Sequence, residues 1–175
     1  MQLLFSILIV FLTVFSGNKE DEIRWSTKRN LVYTDFSGTI PSASPWAANT
    51  SSNIYFSYDF TNNELREVIV YSSFTPSKSW MRTKISSVLI HEQLHFDITE
   101  LFARRLYKES STLIGTSVSL DKLKALFKKA NTDCNEMQNQ YDEESNHGVF
   151  EEKQIAWEKK VHDLLKSTPS YPNVD

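Results

Sequence analysis

The arrangement of apolar and polar positions changes character several times along the chain. Leu3 to Phe15 is apolar except at Ser6 and Thr13, and polar residues from Asn18 to Glu22 follow it. Between Glu22 and Gly38, the residues Ile23, Trp25, Leu31, Tyr33 and Phe36 are interspersed with polar ones, which predicts an extended start. Ser37 to Ser52 is rich in Ser, Pro and Ala and predicts a loop. Ile54 to Phe60 and Leu65 to Phe74 are β-favouring runs, with Thr61-Asn62-Asn63-Glu64 as a turn between them. This pair predicts a hairpin.

After Pro76 the period lengthens. Ile85, Val88, Leu89, Phe96, Ala103 and Leu106 recur at steps of three and four, and no Pro or Gly interrupts Ser77 to Ile114. The pattern predicts one long helix from about Trp80 to Tyr107. A Ser/Thr/Gly linker separates it from a second, more polar helix expected over Leu120 to Tyr141. Asn146-His147-Gly148 breaks the chain, and a third helix is expected over Glu151 to Lys166. The two prolines after Ser167 predict a loose tail over 167–175. The fold class is therefore α+β: a small antiparallel sheet packed on a long helix that carries the site, with two further helices.

Length and composition narrow this picture. At 175 residues with 13% aromatics, the chain suits a single domain, placed at 22–166, with enough apolar mass for a core. A net charge of -3 with interspersed Lys and Arg offers no basic face for nucleic acid. The first apolar run falls short of the ~20 residues needed to span a bilayer and has the length of a signal-peptide core. Residues 1–17 are thus read as a signal peptide, with an uncleaved anchor as the alternative, and the expected location is periplasmic or extracellular. The single cysteine, Cys134, can form neither an internal disulfide nor a thiolate metal cluster.

The candidate chemistry lies in His91-Glu92-Gln93-Leu94-His95, within the long helix. Residues four apart share a helix face, so two imidazoles can grip one ion, expected to be Zn2+. Glu92 is turned aside from that face, where it can take a proton from a water on the metal and pass it to a leaving amine. A catalytic zinc needs a third protein ligand and an open position. Ile98 and Leu101 stand where a metzincin-like extension of the motif would place Gly and a third His, which excludes that arrangement, and Glu100 points off the histidine face. Of the two remaining histidines, His147 stands at a chain break where it can reach across, whereas His162 has the pattern of an exposed position. His147 is the expected third ligand, with Glu143, Glu144 and Glu151 as acidic alternatives. Tyr141 is a candidate for stabilising an oxyanion, with core packing as the commoner fate of such a residue. Asp97 and Glu100 are candidates for orienting an imidazole, although a salt bridge suits Glu100 better.

Trp25, Leu31, Asp35-Phe36 and Gly38 resemble the start of a bacterial family of unknown function, number nine hundred and twenty-two of its series, which is labelled as a secreted zinc-dependent protease. His91 to Ile98, Ala103-Arg104, Tyr141-Asp142, His147-Gly148, Gln154 and Trp157 resemble its later motifs in order. Leu94 stands where Gly is usual and Ser145 where Thr is frequent. The resemblance implies a signal-bearing, zincin-like protein and supports His147 as a ligand; it implies no substrate. The expected function is a zinc metallopeptidase acting on peptide or protein substrates, without nucleic acid and without stable membrane association beyond the signal segment. The Tyr55 to Tyr71 hairpin is the expected strand for pairing with a peptide. The alternative is a non-catalytic envelope-associated binding protein with a structural or vestigial zinc site.

Overall fold

The computed structural model describes residues 21–172. The expected signal peptide lies outside them. Five strands and three helices follow in chain order: β1 (Ile23–Arg24), β2 (Ala48–Asn49), β3 (Ser52–Thr61), β4 (Glu64–Phe74), β5 (Trp80–Met81), α1 (Ser86–Ser111), α2 (Leu120–Ser145) and α3 (Glu151–Ser167). Strands β1, β4 and β3 form an antiparallel sheet in that order, and β2 pairs antiparallel with β5. The architecture is α+β, with the sheet packed against the first, long helix and α2 and α3 on that helix too.

The β3–β4 hairpin forms because its residues alternate. Ile54, Val68 and Val70 are buried, while Tyr55 and Ile69 point outward. The turn uses Asn62 and Asn63, both with positive φ (52° and 63°), the backbone a two-residue hairpin needs and asparagine tolerates. The middle of helix α1 is enclosed, and within 91–104 only Gln93 escapes full burial. Leu94, Ile98, Leu101 and Phe102 join Val70, Tyr141, Trp157 and Val161 in the main core, while Phe96 turns to Leu31 and Phe74. A helix buried on several faces is apolar on more than one stripe, which this sequence provides.

Two expectations require correction. The long helix begins at Ser86, not near Trp80, because Trp80 and Met81 are used as a strand against Asn49 and Ala48. The tail, expected to be loose, is held at Tyr171, which is buried and donates its hydroxyl to Glu100 Oε2 at 2.6 Å. Glu100 also receives Ser72 Oγ (2.7 Å) and Arg104 Nε (2.7 Å), the salt bridge the sequence favoured. Arg104 in turn donates to the carbonyls of Leu165 and Thr168, tying the end of α3 to α1.

Gln93, inside the histidine motif, holds the N-terminal segment. Its Oε1 accepts from the Leu31 amide (2.7 Å) and its Nε2 donates to Asp97 Oδ1 (2.8 Å). Asp97 also accepts from Trp25 Nε1 (2.7 Å) and lies 3.5 Å from His162 Nε2, so it serves the fold and not a site imidazole.

Candidate metal centre

One turn of α1 brings His91 and His95 together, with their Nε2 atoms 3.2 Å apart. The last turn of α2 adds Asp142, whose Oδ1 is 3.1 Å from His91 Nε2 and 3.0 Å from His95 Nε2. These three residues can hold a metal ion. Four-coordinate arms of 2.0–2.1 Å would separate neighbouring ligand atoms by about 3.3 Å, close to the spacing observed.

The outer nitrogens explain why the inner ones converge. His91 Nδ1 is 3.3 Å from Gln154 Oε1, and His95 Nδ1 is 3.0 Å from Gln138 Oε1. Each amide is oriented by other partners. Gln154 Nε2 donates to Glu158 (3.0 Å) while its oxygen accepts from Tyr141 (2.5 Å); Gln138 Nε2 faces Thr99 Oγ1 and Cys134 Sγ, both at 3.3 Å. A carbonyl oxygen only accepts, so each Nδ1 carries a hydrogen and each neutral ring turns its Nε2 lone pair toward Asp142. Two lone pairs and a carboxylate converging on one point repel one another unless a cation lies between them. The donor set therefore fits a divalent metal.

Protons partly relieve the same repulsion when no metal is bound. Burial works to lower the His95 pKa, but hydrogen bonding and charge from Asp142 outweigh it and raise it. Burial likewise works to raise Asp142, and the two imidazoles outweigh it, holding that carboxyl well below the usual range.

Glu92 is 5% exposed and lines the cleft beside the histidines. Its backbone carbonyl accepts from Thr50 Oγ1 (3.2 Å), and no hydrogen bond or ion pair engages its carboxylate among the described residues. The cleft has a volume of about 370 Å³. Trp46, the β2 segment through Thr50 and Val88 form one wall, and Gln138, Asp142 and His147 form another. The strand beside the site is thus β2, not the β3–β4 hairpin. The hairpin is committed to the core, through Ile54 and Val70, and lies outside the cleft lining.

His147 stands next to the three converging atoms. Its Nδ1 is 3.6 Å from Asp142 Oδ1, its side chain is 43% exposed, and its ring packs on Trp46 with centroids 4.1 Å apart. Asn146, His147 and Gly148 all have positive φ (49°, 52° and 79°), a costly run for the two non-glycine residues. A Cβ on Gly148 would sit 3.0 Å from His91 Nδ1, so glycine allows this turn to close over the imidazole. Tyr141 is fully buried behind the histidines, its ring stacked on His91 at 4.6 Å, and burial pushes its phenol pKa far up. Its hydroxyl faces Gln154, away from the cleft. Glu144 is occupied by Gln140 and Trp157, and Glu143 and Glu151 are exposed outside the cleft lining.

A model of a bacterial protein family of unknown function, DUF922, matches residues 15–148. The chain belongs to that family. The match includes the histidine motif, Asp142 and His147 and stops before α3, so Gln154, which orients His91, lies beyond it. No curated protein and no solved structure matches the chain.

Sequence reasoning did not single out Asp142 as a ligand. The helix was expected to end at Tyr141, which left Asp142 without a face. Extended by one turn, the four-residue step from Gln138 to Asp142 places an amide and a carboxylate on one stripe facing His95. That polar stripe on an otherwise apolar flank was the available signal.

Proposed function

We propose that this DUF922 protein is a zinc-dependent peptidase acting outside the cytoplasm, with His91, His95 and Asp142 holding the metal and Glu92 as general base. The observation that carries the reading is the convergence of three ligand atoms at 3.0–3.2 Å beside a carboxylate that no hydrogen bond or ion pair engages among the described residues. The apolar run Leu3 to Phe15 supports export.

A bound zinc supplies Lewis acidity, polarising the scissile carbonyl and lowering the pKa of a water toward neutrality. The chain's own residues do the rest. Glu92 takes one proton as the water oxygen bonds to the carbonyl carbon. It then delivers that proton to the amide nitrogen as the C–N bond breaks, and the water's second proton passes from the new carboxyl group to the amine, so one water is consumed for each carboxylate and ammonium released. Gln138 and Gln154 keep both imidazoles in the tautomer that binds metal. His147, on the cleft wall, can donate a hydrogen bond to the carbonyl oxygen as charge develops there. Pairing of β2 with β5 through Ala47 and Asn49 turns the backbone of Ala48 to the other edge, where an extended peptide can add.

The test is Glu92→Gln in zinc-loaded protein. Metal stoichiometry should be unchanged while peptide hydrolysis falls by about 10²–10⁴-fold. Full activity in the variant would remove Glu92 as base. The near-complete burial of Glu92 favours one second reading, a structural metal site in a binding protein. Tight metal binding by a wild type that hydrolyses no peptide would select it.

A further inference from the structure

Trp46 is half exposed and lines the cleft. Its backbone is fixed. Arg82 Nε donates to the Trp46 carbonyl (3.2 Å), and Arg82 Nη2 donates to the carbonyls of Pro41 (2.6 Å) and Ser44 (3.1 Å). The Trp46 amide donates to Ser44 Oγ (3.3 Å), and the Arg82 amide to the Ala47 carbonyl (2.8 Å). The backbone that carries the indole is thus fixed before any ligand arrives, and the ring packs on that of His147.

The rest of the lining indicates what the indole would meet. Ala47 and Ala48 follow it with minimal side chains, leaving room along β2, and Val88 adds apolar surface from α1. Glu92 and Asp142 are the acids of the lining, and it contains no Lys or Arg. An acidic side chain entering here meets two carboxylates and no Lys or Arg. An aromatic or large aliphatic one finds the exposed surface of the indole to pack on.

Resting on the peptidase reading, we propose that the cleft selects peptides with a large apolar side chain, aromatic above all, next to the scissile bond, with Trp46 as the specificity-determining residue. A fixed backbone at Trp46 reduces the ordering that binding demands of the protein, so more of the burial of that side chain is realised as affinity.

Fluorogenic peptides identical except for Phe, Leu, Ala or Asp at the two positions flanking the bond test this. The zinc-loaded wild type should cleave the Phe peptide at least about tenfold more efficiently than the Ala peptide, and the Asp peptide least. Trp46→Ala should bring the Phe-to-Ala ratio toward one, and Trp46→Phe should keep most of it. Calorimetric binding of the same peptides to the Glu92→Gln protein should follow the same order without turnover. Cleavage of all four peptides at similar rates, or a Phe-to-Ala ratio that survives Trp46→Ala, overturns this inference and leaves the peptidase reading standing. Cleavage of none overturns the peptidase reading, and this inference with it.

Discussion

At the residue scale, Asp142 and His147 compete for one role. Asp142 already places an oxygen within 3.1 Å of both imidazoles, whereas His147 reaches only Asp142, at 3.6 Å. Asp142→Asn should therefore cost far more zinc affinity than His147→Ala, as read by competition with a chromogenic chelator. The reverse order would restore the three-histidine set that the sequence suggested. Gln138 and Gln154 act one step further out. Replacing either with Ala removes the acceptor that fixes a ring, and zinc affinity should fall by about 10–100-fold with the fold retained, which circular dichroism would verify. Unchanged affinity in both variants would mean that packing alone orients the rings.

Elements position these residues through their ends. Helix α2 continues to Ser145 and stops because Asn146, His147 and Gly148 adopt left-handed backbone. Gly148 has both a positive φ and a ring of His91 against its face. Gly148→Ala should destabilise the protein by about 1–2 kcal/mol in urea unfolding and displace His91, weakening zinc binding in parallel. A variant with unaltered stability and affinity would show that the turn relaxes freely. The sequence made this break legible through Asn and Gly. It did not reveal that the helix keeps its last turn up to the break, and that turn carries Asp142. Helix ends are poorly encoded because a final turn lacks half its hydrogen bonds and depends on what packs against it. The short β2–β5 pair was equally hidden. Two residues per strand carry no readable alternation, and only their mutual hydrogen bonds define them.

Across the whole molecule, α1 is anchored at its middle by Glu100, which is fully buried with Arg104, Ser72 and Tyr171 around it. Burial raises the Glu100 pKa in spite of those three partners. Removing the carboxylate leaves the Arg104 guanidinium without its charge partner, so Glu100→Ala should cost about 3–5 kcal/mol in denaturant unfolding. A loss below about 1 kcal/mol would indicate that the network is incidental. On the same helix, Asp97 raises the pKa of His162 through a hydrogen bond and its charge, against burial, with Glu158 adding to the rise and Lys166 opposing it. A raised histidine adds stability that is fully present below its unfolded pKa of about 6.5 and is lost as pH climbs through the folded value. The stability gap between wild type and His162→Asn should therefore be widest below the unfolded pKa of about 6.5 and shrink as pH rises through the higher folded value. A gap that does not vary with pH would remove Asp97 as the cause.

By itself, the sequence determined the α+β class, the hairpin, three helices and the His91-Glu92-His95 unit. Each of these is written in local periodicity or in a spacing that one helix turn makes physical. The third atom of the metal group, the glutamines behind the rings and the wall of the cleft were decided by tertiary structure. They come from α2, α3 and the loop before β2, segments whose approach to α1 depends on how side chains fill a common core. Periodicity records which face of an element is buried, not which polar residue on a neighbouring element arrives opposite it. Asp142, Gln154 and Trp46 acquire their meaning only from that meeting.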